Sequence, residues 1–212
     1  MNDVSSGGRG TPAGIEFWFE FASTYSYLSV MRIEDAAQRH GVPVIWKPFL
    51  LGPVFKALGM DNSPFVLQKE KGDYMWRDMS RQCSKHGLPW VRPSVFPRVG
   101  LLALRLALLG AEEAWMGAFC RRVMQLNFAQ DRDINDEAAM RGILDELGVP
   151  AGTLARAADA PVKARLREQT DEARRRGVFG APTFFVGTEM FWGDDRLDDA
   201  LRFAAAAGRE GA

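Results

Sequence analysis

Strand-like sequence lies at the two ends of this chain, and that placement limits the fold more than any other feature. Near the start, Ile15–Phe21 alternates large apolar side chains with Glu16 and Glu20, the period-2 pattern of a strand. Ser23–His40 follows with Tyr27, Leu28, Met31 and Ile33 at helical spacing and Gly41 placed to cap it. Val42–Lys47 then reads as a second strand, and connections this short predict a parallel, right-handed unit. Strand propensity returns at Thr183–Val186, where Gly187 and Thr188 form a two-residue turn into Glu189–Phe191. Asp195, with Asp198 three residues on, opens a closing helix behind an acidic cap.

Everything strong between these ends is helical: Tyr74–Lys85, Val99–Leu109, Glu112–Leu126, Asp136–Leu147 and Pro161–Arg176. Proline in the first turn and Gly177 after the last mark that final helix clearly. The order is therefore βαβ, a block of helices, then ββα. An α/β fold follows, in which residues 14–51 and 177–208 form one domain. Residues 52–176 are a helical insertion, and the Gly-rich residues 1–13 are expected as a disordered tail.

Charge and cysteine usage exclude several classes of function. Lys plus Arg and Asp plus Glu balance at 27 each, which argues against a nucleic-acid or polybasic membrane surface. The apolar run from Gly100 to Gly110 is interrupted by Arg105 and is too short to span a bilayer. Cys83 and Cys120 have neither CxxC nor zinc-ligand spacing, so no metal site and no dithiol chemistry are expected. With no export signal visible, the cytoplasm is the expected compartment.

The residues with chemical potential cluster at two turns. Ser23 stands where the first strand enters a helix, with Ser26 three residues later. A serine there commonly caps the helix, a bond worth about 1 kcal/mol. It is also suited to holding an anion, since a helix start offers free N–H groups and partial positive charge. As a nucleophile it lacks a base: His40 ends a helix and His86 precedes Gly87, so a Ser-His-Asp hydrolase is not expected. Pro182 precedes the strand Thr183–Val186. It either starts that strand or sits in a cis peptide that presents the Ala181 backbone to an extended ligand. Asp194 and Asp195 follow Gly193 and can cap a helix or receive an ammonium group. Asn62 and Lys71 flank a proline-containing loop.

Together these segments resemble the 2-hydroxychromene-2-carboxylate isomerases and kappa-class glutathione transferases of the DsbA-like thioredoxin superfamily. The likeness runs from Ile15 to about Phe203. It rests on Phe21–Leu28, Lys47-Pro48, Gly177–Val186 and Glu189–Leu197. It implies a thioredoxin-like domain with a large all-helical insertion, with serines where a redox relative has Cys-x-x-Cys. It also implies glutathione as cofactor, with Ser23 as the catalytic residue at its sulfur. Ala181 and Pro182 would meet the cysteinyl unit, and Asp194 and Asp195 the γ-glutamyl end. Asn62 and Lys71 would meet the rest of the tripeptide, and Lys47 completes the implied cofactor-binding set. Two departures stand out. Thr24 replaces the proline usual after the serine, and Asp194 stands where many relatives are uncharged.

The activity implied is isomerisation of an aromatic-degradation intermediate by reversible thiolate addition. A kappa-like transferase or peroxidase is the alternative, and a non-catalytic binding module the third. Trp76, Trp90, Phe96 and Trp192 are candidates for an acceptor pocket, although aromatics at such spacing are commonly core. A homodimer is expected by the resemblance. The apolar helix Val99–Leu109 reads either as its interface or as the centre of the helical block.

Overall fold

The computed structural model describes residues 14–210; the tail expected over residues 1–13 lies outside them. Strand β1 (Ile15–Phe19) leads into α1 (Thr24–Val30) and α2 (Ile33–His40), and β2 (Val44–Pro48) returns beside it. Then come α3 (Leu51–Ala57), α4 (Pro64–Leu67), α5 (Lys69–His86) and α6 (Leu101–Leu109). The helices α7 (Met116–Phe128), α8 (Glu137–Glu146), α9 (Gly152–Arg156) and α10 (Ala160–Arg175) complete the block. The hairpin β3 (Thr183–Val186) and β4 (Glu189–Trp192) follows. A 3-10 turn at Asp194–Arg196 and α11 (Leu197–Glu210) end the described chain.

The sheet order is β2-β1-β3-β4, with β1 parallel to β2 and antiparallel to β3. This is the parallel unit expected at the N-terminal end, joined by the C-terminal hairpin. Gly187 turns that hairpin with φ at +60°, a value that favours glycine.

Alternation along β1 divides the packing. Phe17 and Phe19 face the larger core, where Phe17 stacks on Phe184 at 5.3 Å and Phe19 meets Trp46 edge-on at 5.6 Å. Trp18 faces the other side and packs with Phe49, Val54, Ala173 and Phe185 beneath α3 and α10. Each such fully buried aromatic stabilises the fold by roughly 2–3 kcal/mol. The larger core also takes in Met75, Leu104, Phe119 and Leu144, so the inserted helices share it with the sheet. Most of α6 is buried, which favours the block-centre reading of that apolar helix. Among the described residues no helix is long and apolar enough to cross a membrane.

Two expectations are corrected. The helix expected over Ser23–His40 breaks at Met31–Arg32, giving α1 and α2. The cause is tertiary: Arg32 Nε bonds back to Leu28 O, and its guanidinium leaves the helix surface to reach Asp194. Asp195, expected as the cap of the closing helix, lies inside the 3-10 turn and bonds Arg196 at 2.9 Å. The helices α3, α4 and α9 had no counterpart in the periodicity. The longest has only seven residues, too few to display a face.

Candidate active site

Three segments converge at the start of α1. Ser23 is half-buried and is the N-cap of this helix, its Oγ accepting the Ser26 N–H at 3.2 Å. The ordinary capping role is therefore present. The same hydroxyl donates its proton to Ala181 O at 2.9 Å, across 158 residues of sequence. One serine thus joins the first helix to the turn before β3. The Ala181–Pro182 peptide is cis, the second of the two readings open at this proline. Pro182 O accepts the Gly193 N–H at 3.0 Å, which ties the acidic turn to the same place. Gly180 lies under the Trp192 ring: a Cβ there would fall 2.4 Å from Trp192 Nε1, so the exposed indole would have to move.

Asp194 and Asp195 separate sharply. Asp194 is 8% exposed, and its Oδ1 accepts from Ser29 Oγ at 2.8 Å and from Arg32 at 2.7 Å. Its charge is balanced within the protein, so the extra acid adds no net charge to the turn. Asp195 is exposed and, among the described residues, is bonded by its neighbour Arg196. Of the two, Asp195 is the carboxylate open to an incoming cation.

The remaining candidates lie farther out. Asn62 is exposed, and its Oδ1 accepts the Ser63 N–H at 2.7 Å, bracing the start of α4. Lys71 is exposed on α5 with its ammonium 6.0 Å from the Phe65 ring, which in turn lies 6.0 Å from Tyr25. That close approach of α4 to α5 depends on Gly72, where a Cβ would meet Phe65 O at 2.2 Å. Lys47 projects from the sheet face that carries Trp18, its ammonium 5.6 Å from that ring. The structure therefore joins Ser23, Ala181, Pro182 and Asp194 through direct or single-step bonds. It gives Lys47, Asn62 and Lys71 partners of their own.

Several neighbours escaped the sequence reading. Glu20 was read as an outward strand residue. In the fold it is half-buried, its carbonyl accepts the Ser23 N–H, and burial pushes its carboxyl up from 4.5 to about 7 against the lowering effect of the Leu51 N–H. Tyr25 Oη donates to Asp78 at 3.0 Å, and burial together with that acid pushes its phenol above its usual range. Thr24 Oγ1 and Ser26 Oγ are buried and unpartnered among the described residues, leaving the start of α1 polar and under-satisfied. Trp76, Trp90 and Phe96 form a cluster of their own, with Phe96 edge-on to Trp76 at 4.8 Å. Trp192 does not join them; it is exposed and packs on Phe179 at 4.8 Å.

Both thiols are buried and free. Burial pushes Cys83 up to about 12, and Cys120 rises well above its ordinary value for the same reason. Neither is a nucleophile at neutral pH. What the site offers instead is a hydroxyl proton, the Ala181 carbonyl it bonds and a partly polar helix start, a set suited to an anion carried by another molecule.

Comparison with known proteins bears on the family and the fold. A family model described as a DSBA-like thioredoxin domain matches residues 14–203. A 2-hydroxychromene-2-carboxylate isomerase of Sphingobium xenophagum is 30% identical over 87% of this chain and 94% of its own. Glutathione S-transferase kappa 1 of Homo sapiens is 26% identical over 88% of each chain. A solved 2-hydroxychromene-2-carboxylate isomerase superposes with a TM-score of 0.80 at 28% identity, covering 93% of this chain and 95% of that one.

Proposed function

This chain is an enzyme of the DSBA-like thioredoxin domain family, and from that premise we propose that it is a glutathione-dependent isomerase of the 2-hydroxychromene-2-carboxylate type. The observation that carries the reading is the 2.9 Å bond from Ser23 Oγ to Ala181 O. It brings the hydroxyl able to serve a thiolate against the backbone able to serve a cysteinyl peptide unit.

Glutathione, when bound, supplies the nucleophile that adds reversibly to an unsaturated bond of a ring-opened substrate, so that the bond can rotate. The protein's own groups do the rest. Ser23 turns its single proton from Ala181 O toward the sulfur, favouring the thiolate over the thiol. The freed Ala181 carbonyl accepts the N–H of the cysteinyl unit, so two bonds replace one. Ser26 N–H keeps the Ser23 oxygen in position throughout the exchange. Asp195 receives the γ-glutamyl ammonium, while Asp194, already balanced by Arg32, holds the turn. Asn62 and Lys71 meet the outer part of the tripeptide. Trp76, Trp90 and Phe96 furnish an apolar wall for the acceptor.

Calorimetric titration with reduced glutathione tests the reading, with Ser23→Ala and an unrelated thiol as controls. Saturable binding that weakens with the substitution is expected, followed by turnover of chromene carboxylates. No binding at millimolar glutathione would overturn it. A kappa-like transferase uses the same site, and the resemblance to the kappa enzymes supports it as the second reading. Product analysis separates the two, since conjugation consumes glutathione and isomerisation returns it.

A further inference from the structure

Asn127, far from Ser23 in sequence, holds the carbonyl two residues before it. Its side chain is 1% exposed near the end of α7, and its Nδ2 donates to Phe21 O at 3.0 Å. Nothing about the amide is left to chance. Arg98 Nη1 donates to Asn127 Oδ1 at 3.1 Å, which fixes which end of the amide faces Phe21. Arg98 is itself 8% exposed and is held by Asp131 Oδ1 at 2.5 Å, by Asp131 O at 3.3 Å and by Ser94 Oγ at 3.2 Å. Asp131 also accepts the Ser94 N–H at 2.8 Å, closing the loop that carries Phe96 onto the same node. Asn127 and Arg98 are buried while Asp131 and Ser94 reach solvent, and a buried polar pair held by this many bonds is rigid.

The Phe21–Ser23 turn is thereby bonded at both of its ends. Phe21 O goes to Asn127, Ser23 N to Glu20 O and Ser23 Oγ to the Ser26 N–H. Gly100 lies beside this turn: a Cβ there would sit in ordinary contact with Phe21 Cβ at 3.5 Å and press on Ile134 Cδ1 at 3.2 Å. We propose that Asn127, oriented by Arg98, is a positioning residue for Ser23, setting how well that hydroxyl stabilises the thiolate of bound glutathione.

This inference rests on the glutathione reading, and the experiment keeps the two apart. The pH midpoint of the ultraviolet thiolate band of bound glutathione is measured in the wild-type protein, in Asn127→Asp and in Asn127→Ser. Asn127→Asp keeps the shape and the Arg98 partner but removes the donor to Phe21. Binding of S-methylglutathione, which has no thiol to ionise, is measured beside it. The expected result is a rise of about one unit in the midpoint in both variants, a tenfold loss of thiolate at fixed pH. S-methylglutathione affinity should stay within about threefold of wild type, because the donor set for the peptide is untouched. An unmoved midpoint in folded variants overturns the inference. So does equal weakening of both ligands, or loss of the fold in both variants, since each marks Asn127 as structural alone. Failure of the wild-type protein to bind glutathione overturns the glutathione reading, and the inference with it.

Discussion

The turn that carries Ser23 and the segment from Asp61 to Lys71 are the parts we propose for opposite ends of the ligand, and the fold holds them very differently. Ser23 is bonded to Ser26, Ala181 and Glu20, with Asn127 gripping the residue two before it. Asn62 and Lys71 are exposed, one bonded to its own neighbour and the other resting on a single ring. The sulfur end is pre-organised and the peptide end is accommodated. Pre-organisation belongs where charge must be stabilised, because with the Ser23 oxygen already held only its proton has to turn when the charge arrives. The peptide end needs only affinity, which flexible surface groups supply.

Substitution at each level should break or sharpen this contrast. The largest effect is expected at Ser23→Ala, where turnover should fall about 100-fold while the loss of one helix cap costs about 1 kcal/mol of stability. Steady-state kinetics beside thermal melting checks both; retained turnover would mean that the sulfur is held elsewhere. Next comes Asp194→Ala, which strips Ser29 and Arg32 of their acceptor. Full loss of a buried pair would cost more, but Arg32 keeps 22% of its side chain in solvent. A loss of about 2 kcal/mol in urea unfolding is expected; a value near zero would show that the acidic turn is held by backbone alone.

Glu20 gives a smaller effect with a definite sign. Its folded carboxyl titrates at about 7 against an ordinary 4.5, so the folded state binds its proton more tightly. The stability this contributes is full below 4.5 and is lost as pH rises through about 7. Solvent reaches part of the half-buried side chain, so the loss should be about 1–2 kcal/mol. The difference in unfolding free energy between wild type and Glu20→Gln, followed from pH 4 to 8, should fall over that window. A flat difference would place the carboxyl in water. Least of all, Asn62→Ala and Lys71→Ala should weaken glutathione two- to fivefold, roughly 0.5–1 kcal/mol, with saturated turnover unchanged. A loss as large as that at Ser23 would erase the contrast.

The sheet and the two turns of the site were legible because each has a local cause. Alternation along Ile15–Phe21, the Gly187 turn and Pro182 before a strand are all effects of adjacent residues. The Ser23 cap is equally local. What stayed hidden depends on partners far away in sequence. Arg32 breaks the first helix because Asp194 waits 162 residues on, and neither residue signals the other. Asp195 was given a capping role that Arg196 and the 3-10 turn override. Asn127 sits on an apolar helix face like any stray polar residue until Phe21 and Arg98 are brought to it. Glu20 belongs to the same class, since alternation correctly places its side chain off the larger core but does not reveal the packing of α3 over it.

The central position of β1 also bears on how the protein is made. One edge of this strand finds β2 almost at once, but the other pairs with β3, whose Phe185 lies opposite Glu16. During synthesis that second edge stays open while the whole helical block leaves the ribosome. At ordinary elongation rates the interval is on the order of ten seconds. An aromatic strand with unpaired N–H and C=O groups is a template for another nascent chain. A chain that stops short of Thr183 therefore lacks more than a hairpin: it exposes the centre of its own sheet, and the cell must shield or destroy it.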